Sequence, residues 1–285
     1  MLSNYSTPNL KQLFQVNRRS ILLTYFLTVI ENLFELLYPW AVGIAINGLL
    51  QGKYLTLLPL FGAWFAHIVT GLFRQVYDTK VFTKIYGKLV TSMVLEQDTR
   101  GVQTSKIVAR SYLSRELVDF FERDLPNLIT ALFGFFGALV MLFIYDLTLG
   151  GYCLALLVPL IIINIFYSRK SRYLNSQLND RLEQEVDILS DRTPDKIANH
   201  YSLLRKWRIR LSNAEAKNWG TIQLIVMVIA VAVLLRTVEL PKINTGDIYA
   251  IISYFFSYLE SLDEIPFLVQ QFSRIEDIGD RLTAN

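Results

Sequence analysis

Residues 125–168 decide the fold, and they read LPNLITALFGFFGALVMLFIYDLTLGGYCLALLVPLIIINIFYS. Leu125–Tyr145 has 21 residues, Leu147–Ser168 has 22, and neither segment contains Asp, Glu, Lys or Arg. Because about 20 apolar residues in a helix cross a hydrocarbon core of ~30 Å, each segment can span a bilayer. The short joint at Asp146 leaves room only for a tight turn, so the two segments are predicted to form an antiparallel hairpin.

The composition fits an integral membrane protein with charged parts outside the lipid. Hydrophobic residues make up 52% of the chain and charged residues 19%, with a mean hydropathy of +0.34. The 28 Lys and Arg residues are interleaved with 25 Asp and Glu residues, which argues against nucleic-acid binding. The single cysteine, Cys153, lies in an apolar span, so no disulfide or Cys-based metal site is predicted. We expect no cofactor.

The remaining apolar segments complete the prediction of an all-α, polytopic membrane protein with six spans. These segments are 21–50, 54–73 and 219–235, with a last one starting at Asp247. Residues 1–20 are predicted to be an interfacial segment, with a short helix at 9–20 in the headgroup region, and a frayed terminus is the alternative. We expect residues 1–285 to form one transmembrane domain without a nucleotide-binding domain.

Two amphipathic stretches, 74–124 and 169–218, alternate with the spans, and each has one internal turn. The turns lie at Asp98–Gly101 and Ser190–Asp195. No turn signal separates these stretches from the neighbouring spans, so we expect continuous helices ~60 Å long. With the two terminal segments they hold 25 of the 28 Lys and Arg residues. The excess predicts a multi-pass protein of the cell (cytoplasmic or inner) membrane with both termini cytoplasmic.

Several short motifs, in their order and spacing, resemble the transmembrane domain of ABC exporters over nearly the whole chain. The motifs are Leu95–Gly101, Asp124–Pro126, Asp146–Leu149, Pro159–Leu160, Gly246–Ala250, Ile265–Pro266 and Arg274–Ile275. The resemblance implies an exporter-like, domain-swapped homodimer, in which spans four and five of each chain cross into the other bundle. It also implies that the inner turns dock on nucleotide-binding domains.

Motifs for ATP hydrolysis are absent from the 285 residues. An ABC ATPase needs a GxxxxGK[ST] loop whose amides hold phosphates, and Leu49 and Leu50 follow the only comparable pair, Gly43 and Gly48. The stretch 197–207, after the second inner turn, departs from the family pattern at the docking position. We therefore expect no enzyme activity, and the chain also resembles exporter-shaped transporters that lack ATPases and move solutes as dimers.

Polar residues at membrane depth are candidates for a transport pathway or a proton-linked step. Glu31 lies ~17 Å inside span one and His67 ~20 Å inside span two, so both are predicted near the midplane, where they could pair. Glu35 is one turn from Glu31, and Asn32 lies beside it. The alternative is a buried pair that only fixes span one against span two.

Span six supplies a second set of candidates. Glu260, Asp263 and Glu264 share one helical face at roughly the depth of Arg74, where they could form an acidic ring that Arg74 closes as an inner gate. An ordinary interfacial ion pair is the alternative. Tyr249, Tyr254 and Tyr258 could line a path for aromatic or apolar solutes, although packing against lipid or a partner chain is the more common explanation of such a stripe.

Three functions remain open from the sequence. The first is a transport protein without an attached ATPase, acting in membrane lipid as a channel or proton-linked carrier for small cationic or amphipathic solutes. The second is the permease subunit of a split ABC transporter with a separate ATPase chain. The third is a membrane scaffold that does not transport.

Overall fold

A computed structural model describes residues 15–263, which are almost entirely helical and contain no strand. The helices are α1 Arg18–Leu36, α2 Tyr38–Leu49, α3 Leu58–Thr99, α4 Thr104–Asp119, α5 Leu125–Tyr145, α6 Leu147–Glu183, α7 Glu185–Ser190 and α8 Pro194–Glu239. Helix α9 runs from residue 245 to 263. The prediction of an all-α chain is confirmed, whereas most of the predicted interfacial segment 1–20 lies outside the described residues.

The predicted long helices are present. Helix α3 has 42 residues and α8 has 46, lengths of about 63 and 69 Å. Five helical stretches of the described chain are long and apolar enough to cross a membrane, namely Arg18–Leu49, Tyr54–Thr99, Thr104–Tyr145, Leu147–Ser190 and Pro194–Glu239. Helix α9 is not among them, so the count of six spans stays a prediction.

The first span is broken, where the sequence had predicted one continuous segment. Helix α1 ends at Leu36 and α2 begins at Tyr38, with Pro39 in its first turn. Proline has no N–H, so the carbonyl of Glu35 loses the bond that a continuous helix would give it. The Leu37 N–H is shared between the carbonyls of Leu33 and Phe34, at 3.3 and 3.2 Å.

A second irregularity precedes span three, where residues Phe120–Asp124 form a π-helical turn between α4 and α5. The Tyr25 hydroxyl donates a hydrogen bond of 3.1 Å to the carbonyl of Phe121. A π-helical turn leaves some backbone carbonyls without their usual N–H donor. The Tyr25 hydroxyl of α1 is the donor for the Phe121 carbonyl. This turn was not predicted from the sequence.

The chain divides into two compact units. Helices α1 to α5 and α9 belong to the first, and α6 to α8, within residues 146–240, form the second. In the first unit, an apolar core joins α1, α3 and α4 through Ile21, Phe82, Ile85, Leu89 and Val118. This core holds together the ends of the helices that carry the charged stretch 74–124.

The second unit is a helical hairpin. Leu174 of α6 packs with Leu211 and Ala214 of α8. At the other end of the hairpin, Asp146 caps α6 by accepting hydrogen bonds from the N–H groups of Thr148 and Leu149, at 2.9 and 3.3 Å. Helix α5 ends at Tyr145 and α6 begins at Leu147, so a single residue, Asp146, joins the two helices as the sequence predicted.

Candidate functional site

A cavity of about 260 Å³ lies in the first unit, bordered by α1, α5 and α9, with Pro39 of α2. Its walls combine small polar residues, carboxylates and apolar side chains. The lining residues are Asn32, Glu35, Leu36, Pro39, Thr130, Ala131, Phe133, Gly134, Tyr254, Ser257, Glu260 and Ser261. The cavity therefore brings together four residues that the sequence analysis had assigned to separate sets, namely Asn32, Glu35, Tyr254 and Glu260.

Glycines on α5 allow the helices around this cavity to approach closely. A Cβ atom on Gly134 would lie 2.2 Å from the Ser261 hydroxyl oxygen of α9. A Cβ atom on Gly137 would lie 2.8 Å from the side chain of Leu36 on α1. A side chain at either position would displace Ser261 or Leu36, so the glycines leave room for residues that line the cavity.

Two carboxylates from different helices border the cavity. Glu35 comes from α1 and Glu260 from α9, and both side chains are exposed. No ion pair joins either of them to a cation in the part of the chain that the structure describes. Two carboxylates without a neighbouring cation make the cavity electronegative, and such a lining favours cationic groups.

The polar neutral groups of the cavity are tied to the backbone. Asn32 is buried and its Nδ2 donates to the carbonyl of Thr28 at 2.7 Å. The Tyr254 hydroxyl donates to the carbonyl of Leu36 at 2.8 Å, at the break between α1 and α2. The Tyr254 bond joins α9 to the broken first span, whereas the Asn32 bond lies within α1 and fixes the orientation of the Asn32 amide.

A second polar cluster lies where α3 leaves the apolar segment 54–73. The guanidinium of Arg74 pairs with Glu31 of α1 and, at 3.1 Å, with Asp78 one turn further along α3. Asp78 is only 4% exposed. Burial raises the pKa of the Asp78 carboxyl to about 6, and this effect outweighs the lowering by Arg74.

The predicted contact between Glu31 and His67 is wrong. In the antiparallel pairing of α1 with α3, a Cβ atom on Gly71 would lie 2.8 Å from Glu31 Oε1. His67 lies four residues before Gly71, about 6 Å further along the helix. There its ring is 5.3 Å from that of Tyr38, and its Nδ1 is buried without a hydrogen-bond partner in the described residues.

The predicted inner gate also needs correction, because Arg74 is held by Glu31 and Asp78. Within residues 15–263 it pairs with neither Glu260 nor Asp263. Both of these acidic residues are exposed, and Glu264 lies outside the described residues. A guanidinium between two buried or half-buried carboxylates stays with them, since its departure would leave their charges unpaired.

The three candidate tyrosines of α9 have different surroundings. Tyr254 is buried and borders the cavity. Tyr258 is also buried, and its ring stacks on that of Phe135 at a centroid distance of 5.1 Å. Tyr249 is 44% exposed. Of the three, only Tyr254 lines the cavity.

Sequence reasoning missed Asp78, which is buried, and Glu122, which is half-buried. Asp78 follows Arg74 by four residues, and this spacing on a helix was an available signal for a pair. Glu122 had no comparable signal, because its position depends on the π-helical turn. The small residues Thr130 and Ser257 were also missed, since isolated hydroxyls in apolar segments carry no distinctive pattern.

Comparison with known proteins gives one family. The family described as the ABC transporter transmembrane region matches residues 10–246, which is most of the chain. No match was found among curated proteins. The matched range covers all of the helices from α1 to α8.

Proposed function

This chain belongs to the ABC transporter transmembrane region family, and we propose that it carries small cationic or amphipathic solutes through the acidic cavity between α1, α5 and α9. Family membership assigns a role in membrane transport. The observation that supports the solute class is the pairing of Glu35 and Glu260 around one cavity, with no cation bound to either among the described residues. Phe133 and Tyr254 add an aromatic surface suited to an organic cation.

In this proposal the protein is a transporter and not an enzyme. It acts as a channel or proton-linked carrier, without an ATPase within these 285 residues. The absence of a phosphate-binding loop from this sequence supports that part of the proposal. The distribution of Lys and Arg supports cytoplasmic termini in the cell membrane.

We further propose a homodimer in which the hairpin of α6 and α8 is exchanged. The hairpin is a compact unit of its own. It also exposes many large apolar side chains, including Ile161, Phe166, Trp219, Met227 and Val231. Lipid and a partner chain would together cover this surface.

A second candidate function is the permease subunit of a split ABC transporter. It is favoured by exposed apolar side chains around the second inner turn, beyond the apolar segments. Val186 is 72% exposed, and Leu182, Leu189 and Tyr201 are exposed by 42 to 46%. Such residues outside the lipid suit a protein partner, and a separate ATPase is the partner that this family suggests.

Flux measurements in liposomes that contain only the purified protein test the proposal. Without ATP, uptake of small amines is expected for the wild type. Glu35→Gln and Glu260→Gln should each weaken the apparent affinity about tenfold, because each loses a charged contact worth ~1.5 kcal/mol. Glu215→Gln, an exposed carboxylate on α8, is the matched control.

The same assay separates the two candidates. Absence of flux from folded protein without ATP, followed by flux after addition of an ABC ATPase chain with ATP, would replace the first candidate with the second. Equal flux in the wild type and both cavity variants would exclude the acidic cavity as the path.

A further inference from the structure

The first unit has a second cavity, which shares no lining residue with the cavity described above. Helices α3 and α4 and the π-helical turn border this second cavity of about 310 Å³. Its charged lining consists of Arg74, Asp78, Arg115, Asp119, Glu122 and Arg123. Three cations and three carboxylates therefore surround one small volume, and their pairing decides what it can bind.

Most of these charges have partners. Arg115 pairs with Asp119 at 2.8 Å, and Arg123 lies 3.3 Å from Asp124. Arg74 divides its guanidinium between Glu31 and Asp78. The three guanidinium groups are therefore each engaged by at least one carboxylate.

Two carboxylate oxygens are exceptions. Asp78 Oδ1 and Glu122 Oε2 are both buried, and neither has a hydrogen-bond partner in the described residues. The closest cation to Glu122 Oε2 is the Arg115 guanidinium at 3.9 Å, beyond hydrogen-bond range. Asp78 is more than nine-tenths buried. A buried acceptor without a donor is costly, so two on one cavity need an explanation.

We propose that Asp78 and Glu122 hold one proton between them and form a protonation site in this second cavity. A proton on Asp78 Oδ1 turns that atom into a donor for which Glu122 Oε2 is the available acceptor, directly or through water in the cavity. One proton thus satisfies both oxygens. The proton comes from solvent and returns to it, and no covalent bond changes other than the O–H bond.

Groups on every surrounding element favour this assignment over a bound metal cation. On α1, Glu31 forms an ion pair with Arg74, and the Tyr25 hydroxyl donates its hydrogen bond to the carbonyl of Phe121. Arg74 on α3, with Arg115 and Arg123 across the cavity, repels a metal cation. A proton on a carboxyl group only removes a negative charge and needs no further ligands.

The pKa shifts agree with the geometry. The pKa of Asp78 is raised from 3.8 to about 6, mainly by burial and in smaller part by the nearby charge of Glu122, against the lowering by Arg74. Burial likewise raises the pKa of Glu122. Since the folded state binds this proton more tightly than the unfolded state, the free energy of unfolding falls as pH rises from about 4 to 6.

Thermal unfolding of the purified full chain at several pH values between about 4 and 8 tests the site. Asp78→Asn imitates the protonated carboxyl, so its unfolding midpoint should exceed that of the wild type at the upper pH and lose the rise that the wild type shows on acidification. Asp98→Asn, at an exposed position on the same helix, should keep the wild-type profile. Identical pH profiles for wild type and Asp78→Asn would overturn the proposal.

Glu122→Gln provides an independent test if Asp78→Asn does not fold. Removing the like charge of Glu122 should move the pH-dependent transition of Asp78 to lower pH, because the ionised form of Asp78 then becomes less unfavourable. An unmoved transition would contradict a shared proton.

A role of this protonation site in proton-coupled transport rests on the proposed transport function. Flux measurements distinguish failure of the coupling from failure of the transport proposal. If protonation at Asp78 drives transport, amine flux should respond to a pH gradient in the wild type and lose that response in Asp78→Asn, while Asp98→Asn keeps it. A protonation site seen by unfolding, without flux under any condition, would contradict the transport proposal and the coupling but leave the protonation site supported. Flux with an unaltered response in Asp78→Asn would overturn the coupling alone.

Discussion

Two arginine–aspartate pairs, one in each unit, place a guanidinium beside a carboxylate with opposite results. In the second unit, Asp146 accepts from Arg236 Nε at 3.1 Å and Nη2 at 2.8 Å, and from two backbone N–H groups. These bonds, led by those from Arg236, lower the pKa of Asp146 to about 2. In the first unit, Asp78 receives one bond from Arg74, and its pKa is raised to about 6.

The difference shows that burial and the number of donors set the pKa of each carboxyl, more than the mere presence of an arginine. Asp146 has four donated hydrogen bonds, so its ionised form is well solvated by the protein. Asp78 shares its arginine with Glu31 and keeps one buried oxygen without a donor. The pair in the second unit therefore fastens the hairpin, whereas the cluster in the first unit retains a group able to take up a proton.

Replacing each arginine by methionine gives the largest expected contrast. Arg74→Met leaves Glu31 and Asp78 without their cation, and we expect the free energy of unfolding to fall by about 3 kcal/mol, as when one partner of a buried pair is removed. Arg236→Met should cost less, because Asp146 keeps its two backbone donors. Denaturant unfolding in detergent measures both.

One outcome would contradict this expected difference between the two arginine variants. Equal losses for Arg74→Met and Arg236→Met would show that the two carboxylates depend on their arginines to the same degree. Arg100→Met, which removes an exposed guanidinium paired with Glu96 on α3, controls for the loss of a surface ion pair and should change stability by less than about 1 kcal/mol.

The helices were predictable because their signals are local, while the contacts of the charged residues were not. Apolar length and turn residues placed α3, α5, α6 and α8 within a few residues. The choice of partner for Glu31 depended on the register of α1 against α3, which the sequence does not encode in any short pattern. An offset of about two turns was enough to replace His67 by Arg74 as the neighbour of Glu31.

The cavity was only partly predictable for a related reason. Glu35 and Glu260 were recognised as charges at membrane depth, but they were assigned to different functions because they lie far apart in sequence. Their shared cavity depends on Gly134 and Gly137, whose role is visible only once α5 is placed against α9 and α1. Likewise, the π-helical turn that carries Glu122 has no sequence signature.

Alanine substitutions at glycines extend the comparison of the two units with a smaller expected effect. Gly134→Ala puts a Cβ atom against Ser261 in the first unit, whereas Gly151 of α6 has nothing within 4 Å of its Cβ position. We expect Gly134→Ala to lower the free energy of unfolding by about 1–3 kcal/mol through overpacking. Gly151→Ala should raise it by about 0.5–1 kcal/mol through helix propensity. Destabilisation by both, measured by thermal unfolding, would show that the hairpin glycine is packed in the native assembly.

The effect of acid on stability through Asp146 should be the smallest of these effects. Its sign is opposite to that of Asp78, because acidification lowers the contribution of Asp146 to stability. Because the pKa of Asp146 is lowered to about 2 from 3.8, its contribution to stability is present above pH ~4 and is lost as pH falls toward ~2. Asp146→Asn should therefore flatten the fall in the unfolding midpoint between about pH 4 and 3, while Asp187→Asn, an exposed site in the same unit, should not. Solvent near the turn screens the pair, so the difference will be small. A wild-type slope in Asp146→Asn would mean that the Arg236 pair does not persist in solution, and the contrast between the two aspartates would then rest on burial of Asp78 alone.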